Sequence, residues 1–166
     1  MTFIKHTESW YKGEAFEFGM LIIFGTLLVI LALYFWKFGH TSTSRVLVIP
    51  FLVVGLFWGI AGGFGTYRNS VRVEKMRVDY KQDPGAFVKS EKKRVEGFRG
   101  WYRPLLIGWT VLVLIGLSLF HFWGGNLGRA IGLAAILFAV AGLMVDHTSE
   151  HNARVYHAEI ERALGP

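Results

Sequence analysis

At 166 residues, with 52% hydrophobic residues, no cysteine and a formal net charge of +6, the chain has the length of one domain but is too apolar for an ordinary soluble one. The lack of cysteine excludes disulfides and thiolate metal sites. The apolar residues are gathered into long uncharged runs without the polar stripes that a soluble amphipathic bundle requires.

The first eighteen residues carry Lys5 and Lys12, then Glu14 and Glu17 in GEAFEFGM. Both glutamates are expected at the start of a first span, where the positive end of a helix dipole favours them, on the side from which they could meet His147 or His151. A carboxylate-bridged metal pair would also need E-x-x-H on two helices, and the chain has none. The uncharged run from residue 19 to 36 then reads as span one. It is long and ends in YFWKFGH, unlike a cleavable signal peptide, so it is expected to be retained.

Span two is expected over 46–66 and carries Gly55, Gly59 and Gly63 four residues apart. Glycines at that spacing share a helix face and let two backbones approach closely, the usual means of helix packing in lipid. From 67 to 104 the sequence turns basic, with eleven Lys and Arg against five Asp and Glu. Val71, Val73, Val78 and Tyr80 predict that span two runs on as a helix to about Lys81. In QDPGAF, Asp83 can cap and Pro84 can open a further helix through Arg99, with Phe87, Val95, Phe98 and Tyr102 as its apolar stripe. The cheapest partner for Arg68, Arg72, Lys75, Arg77, Lys92, Lys93, Arg94, Arg99 and Arg103 is the headgroup layer of an anionic membrane. The interleaved aromatics suit anchoring better than base stacking, so nucleic acid is not an expected partner.

Span three is expected over 105–123 and span four over about 127–145. Span four opens with Gly124, Gly128 and Gly132, matching the glycine spacing of span two. The bulkier spans one and three are expected to face lipid more than their partners. Lys and Arg divide 15 to 3 between the two sides of a four-span chain. The positive-inside rule then puts both termini and the 67–104 segment in the cytoplasm. The expected class is all-α: a single membrane domain of two transmembrane hairpins joined by a cytoplasmic helical hairpin.

The tail, 146–166, holds DHTSEHNARVYH, which contains H-x-x-E-H at His147 to His151. His147, Glu150 and His151, with His157 beyond, are the candidate metal ligands, because two histidines four apart on a helix can grip zinc and this order occurs in inverted zinc peptidases. A distant carboxylate ligand and chain enough for an enclosed chamber are missing, and histidines are ordinary where a helix leaves a bilayer. The expectation is therefore no catalytic residue, no metal and no cofactor. Apart from Arg129 at the interface end of span four, the spans contain no Asp, Glu, Lys or Arg, and Pro50 lies near an end of span two, so the broken helices and midplane charges expected of a transporter are not seen in the sequence.

Short outer loops, a basic inner segment and no catalytic motif make the chain resemble, in architecture, the small four-span bacterial inner-membrane immunity proteins that act against pore-forming bacteriocins and secreted membrane toxins. The resemblance implies a non-enzymatic partner protein that binds a toxin's inserted helices in the bilayer. Its implied partners are membrane lipid and another membrane-inserted protein or a second copy. An accessory subunit of a membrane complex, a metal- or haem-binding protein using the histidines, and a small channel or transporter are the alternatives.

Overall fold

The computed structural model describes residues 3–165 and contains five helices: α1 (Phe3–Phe38), α2 (Ser42–Gln82), α3 (Pro84–Arg99), α4 (Tyr102–Phe122) and α5 (Gly125–Leu164). Four helical stretches, α1, α2, α5 and the one ending in α4, are long and apolar enough to cross a membrane. Local chemistry sets the boundaries. Thr41 and Ser44 form a reciprocal capping box at the start of α2, satisfying amides that the first turn leaves free. Asp83 ends α2 and caps α3, its carboxylate accepting the Ala86 amide at 2.9 Å, with Pro84 at the first helical position as expected. The turn into α5 uses Gly125 at φ +89°, a left-handed conformation that glycine adopts without strain.

Helix length organises the molecule. At about 1.5 Å per residue, α1, α2 and α5 are about 54, 61 and 60 Å long, roughly twice the thickness of a hydrocarbon core. The 21 residues of α4 reach only about 31 Å. Helices α1 and α2 run antiparallel: Phe35 meets Phe51, Gly25 meets Gly55, Tyr11 meets Asn69 and Glu8 meets Arg77. Helices α4 and α5 pair likewise through Gly116 with Gly132 and Trp109 with Asp146. The polar halves of α1, α2 and α5 therefore project together, and α3 fills the place that α4 is too short to occupy.

Two cores result. The apolar one joins Leu21, Leu28 and Ala32 of α1, Phe51, Val54 and Trp58 of α2, and Ala134 and Ala141 of α5. Trp58, Trp109 and Phe138 close it with rings 5.0 to 6.1 Å apart. The other core lies among the polar halves: Trp10 and Tyr11, Met76, Phe87, Val88 and Val95, and Ala153, Tyr156 and Ile160. The sequence reading paired the end of α2 with α3 and treated 146–166 as a tail. In the structure α3 packs more on α5 than on α2, and the tail is the continuous end of α5, with Ile160 and Ala153 fully buried. The expected contrast in exposure between partners is large in the α4–α5 pair and slight in the α1–α2 pair. In the apolar windows α4 is 6% buried and α5 39%, but α1 and α2 are alike at 22% and 28%.

The glycines work within each pair. A Cβ at Gly25 would lie 2.5 Å from the Gly55 carbonyl oxygen and the Gly59 amide nitrogen, and one at Gly132 would lie 2.5 Å from the Gly116 carbonyl oxygen. Gly55 abuts Gly25 and Val29, and Gly128 abuts Trp123. Gly59 contributes backbone, since its own Cβ direction is open; Gly63 and Gly124 face open space, and Gly62, one residue along, is the position packed against Phe18 and Ile22. Gly25→Val and Gly132→Val are expected to destabilise the purified protein by about 2–3 kcal/mol, because backbone cannot move aside as a side chain can. Gly63→Ala should stay within about 0.5 kcal/mol of wild type in the same denaturation measurement.

Candidate functional site

The histidine-rich stretch folds as the α5 segment just past the apolar core, and its ligand candidates disperse. His147 and His151 are exposed, and Glu150 lies 3.9 Å from Arg154 on its own helix. Asp146 turns the other way and accepts a 2.6 Å hydrogen bond from Trp109 Nε1. His151 borders a cleft of about 240 Å³ with His6, Trp10, Tyr156 and Glu159, where His6 Nε2 is 3.6 Å from Glu159 Oε2. Among the described residues the one group of His and carboxylate atoms close enough for a metal is Glu96, His157 and Glu161. Lys92 already serves it, with Nζ 2.8 Å from Glu161 Oε1 and 4.0 Å from Glu96 Oε1. An ammonium held between the carboxylates supplies the charge that a cation would bring.

The chemistry sequence reasoning missed is buried, between α1, α3 and α5. Glu91 is 5% exposed and takes two hydrogen bonds from Arg94, at 2.9 and 2.8 Å. The fork geometry suits a carboxylate, and the guanidinium also lies within 6 Å of the rings of Trp10, Tyr11 and Phe98. Tyr156 Oη stands 2.8 Å from Glu91 Oε2 and 3.0 Å from Thr7 Oγ1. Its single proton is best used on the carboxylate, and burial together with that negative neighbour drives the phenol's pKa far up. Arg94 was expected among headgroup-binding residues and is instead committed to this interior pair. Lys92 is engaged by Glu161, and Arg77 by Glu8 at 3.3 Å. Arg68, Arg72, Lys75, Lys93, Arg99 and Arg103 remain exposed and without an ion pair among the described residues.

A belt of further polar contacts separates the two cores. Asn69 donates to the Tyr11 carbonyl at 2.8 Å, Tyr102 and Ser149 hydroxyls are 2.9 Å apart, and Asn152 Nδ2 donates to Glu17 Oε1 at 3.0 Å. Helix α1 begins at Phe3, so Glu14 and Glu17 lie three and four turns inside it. The helix-dipole explanation expected for them therefore fails, and Glu17 meets Asn152 in place of His147 or His151. Glu17 is 3% exposed, and burial pushes its pKa up to about 7 despite the Asn152 hydrogen bond, with the charges of Glu14 and Asp146 adding to the rise. Burial raises Glu14 and Asp146 as well. Glu14 Oε2 and Trp10 Nε1, one turn apart, are both buried and neither makes a hydrogen bond of good geometry.

These groups hold helices together; no nucleophile and base converge with an oxyanion site among them. Compared with protein-family profiles, curated proteins and solved structures, the chain matches none.

Two outcomes follow from this interior. Glu91→Ala should cost about 3–5 kcal/mol, since it strands the Arg94 charge, whereas Tyr156→Phe should cost about 1–2 kcal/mol, both read by thermal or chemical denaturation. The second concerns pH. The folded state holds the Glu17 proton more tightly than the unfolded chain, so this residue favours folding most below pH 4.5; the benefit is lost as pH rises to about 7. Glu17→Gln keeps an acceptor for Asn152 and should stabilise the protein by about 1–3 kcal/mol at pH 8 with little change at pH 4, flattening this part of the profile.

Proposed function

We propose that the protein is an integral membrane protein of four spans, arranged as two hairpins joined by a cytoplasmic helical segment, in a bacterial inner membrane. Residues 3–18, 67–104 and 146–164 lie in the cytoplasm and form its polar core there. The 15 to 3 distribution of Lys and Arg supports that orientation, as does the projection of three helices at the basic end. The protein acts without catalysis, by recognising another membrane-inserted protein; in its most specific form it is an immunity protein that stops a membrane-acting toxin from assembling its pore.

The observation that carries the partner reading is the incomplete packing of α4. It packs extensively on α5 alone, and Gly116 is its one buried residue. On the face turned from α5, Ile107, Val111 and Leu114 fall at i, i+4 and i+7 and are 57%, 47% and 58% exposed. In a bilayer this is a straight, uncharged helix flank against which one inserted helix of a toxin can lie, with the glycine contacts inside the pairs left undisturbed.

Reporter fusions after Trp36 and near Asn126 are expected to report the outside, and fusions near Gly85 and after Leu164 the cytoplasm. A cytoplasmic signal near Asn126 overturns the four-span topology. For the immunity reading, cells that express a membrane toxin encoded beside this gene should survive with the wild-type protein. Val111→Trp with Leu114→Trp should reduce that survival at least tenfold at equal membrane abundance, and Ile23→Trp on α1 should not. His147→Ala with His151→Ala should protect as well as wild type.

A further inference from the structure

The end of the molecule opposite the polar core is lined by a cation that nothing inside the chain neutralises. From Phe18 to Val73, and again from Gly97 to Val145, there is no Asp or Glu, so the two short connections carry Lys37, Arg45 and Arg129 against no carboxylate. Arg45, in the first turn of α2, is exposed and joins no ion pair; its contact is a long hydrogen bond from Nε to the Gly39 carbonyl at 3.4 Å. The same turn adds α2's unpaired first amides and its positive dipole end, since the Thr41 side chain takes only the Ser44 amide.

Two apolar grooves begin at this arginine and run down opposite flanks of α2. One, of about 730 Å³, lies toward α1 and is lined by Leu33, Trp36 and Leu52. The other, of about 680 Å³, lies toward α5 and is lined by Val53, Leu127 and Ala135, with Pro50 at its side. Arg45 and Ile49 line both and form the ridge between them. Each groove has the size of a ligand cleft, roughly 300–1,000 Å³. The first runs from Arg45 to Leu52 and the second from Arg45 to Val54 along α2, about 10 and 14 Å respectively.

We infer that this end holds one anionic two-chain phospholipid, its phosphate on the Arg45 guanidinium and one acyl chain in each groove astride α2. The inference rests on the four-span membrane reading. Charge and shape select the ligand together. A guanidinium without a carboxylate suits a phosphate, and two grooves meeting beneath a single cation suit two chains that meet at a single headgroup. A one-chain amphiphile would leave a groove empty, and a zwitterionic headgroup would bring its own cation against Arg45. This site lies at the far end from the exposed arginines and lysines of residues 67–104, and it joins one cation to two open grooves in place of a diffuse charged surface.

The test uses full-length protein in mild detergent, with native mass spectrometry counting bound lipid. Added probes are phosphatidylglycerol, phosphatidylcholine, single-chain lysophosphatidylglycerol and inorganic phosphate. One phosphatidylglycerol per chain should survive activation that strips phosphatidylcholine and the lyso form, and phosphate should not displace it. Arg45→Gln should weaken its retention at least tenfold, and Ala135→Trp, which fills the α5-side groove, should do the same. Arg129→Gln, a cation outside the grooves, should not. Circular dichroism and melting confirm that each variant is folded; if Ala135→Trp unfolds, Leu33→Trp fills the other groove. Equal retention of phosphatidylglycerol by wild type and Arg45→Gln, equal retention of phosphatidylcholine, or tight binding of the lyso form overturns the site. Resistance of the protein to alkaline carbonate extraction from membranes separates the two failures: an extracted protein refutes the membrane reading, whereas a resistant one that holds no phosphatidylglycerol refutes the lipid site alone.

Discussion

Close backbone contact at a few glycines sets the register on which the rest of the structure depends. Where Gly25 crosses Gly55 and Gly59, a single added carbon would strike main-chain atoms, and the crossing of Gly116 and Gly132 is as tight. Backbone contact of this kind tolerates almost no sliding, because a shift of one residue drives a branched side chain into the gap. Farther along the same helices, that register places Asn69 at the Tyr11 carbonyl and Arg77 at Glu8. The apolar half of the molecule thereby positions the polar half.

That polar half is a second bundle assembled from three projecting helices and α3. Its interior carries an ion pair, a phenol and one further buried carboxylate, Glu17, with Glu14 half-buried beside it. Such groups are poor stabilisers on balance, since removing them from water offsets much of their mutual attraction, but leaving one unpaired is costly. Their effect is to specify: Glu91 meets Tyr156 of α5 while Arg94, one turn along α3, lies over Trp10 and Tyr11 of α1, so the pair ties α3 to both helices. The uncompensated groups lie nearer the apolar core. Glu17 is buried with Asn152 as its donor, Glu14 is half-buried with one oxygen unpaired, and burial raises the affinity of both carboxyls for protons.

The two ends of the molecule consequently differ in what they ask of their surroundings. At the polar end part of the charge is matched within the chain, as in Arg94 with Glu91 and Lys92 with Glu161, and the cations left over are spread along exposed helix surface. At the opposite end there is no carboxylate at all, and one arginine stands where two apolar grooves begin. Between them α4, held by one neighbour, presents a flank that the chain itself does not cover. A partner that reads the flank and a lipid that fills the grooves use different sides of α2 and α4, so both can be accommodated.

Much of this was legible in the order of residues. Uncharged runs long enough to cross a bilayer, the Asp83 and Pro84 start of α3, and the continuation of α2 to Gln82 follow from hydropathy, capping chemistry and period, all of which are local. Pairing did not follow. Residues 3–18, ahead of the expected first span, became the first turns of α1 because Trp10, Tyr11 and Thr7 find partners on α3 and α5, which no local pattern contains. The same cause separates Arg94 from its basic neighbours: in sequence it is one charge of eleven, and only the tertiary packing that buries Glu91 decides that this one turns inward. Gly62 and Gly63 are indistinguishable by composition, and a rotation of about 100° on the helix decides which of them faces α1. Sequence alone determined that the chain is helical, where its uncharged runs lie and where α2 hands over to α3; the partner on each face was decided by long-range packing, because the free energy of a buried charge or a backbone crossing belongs to both helices at once.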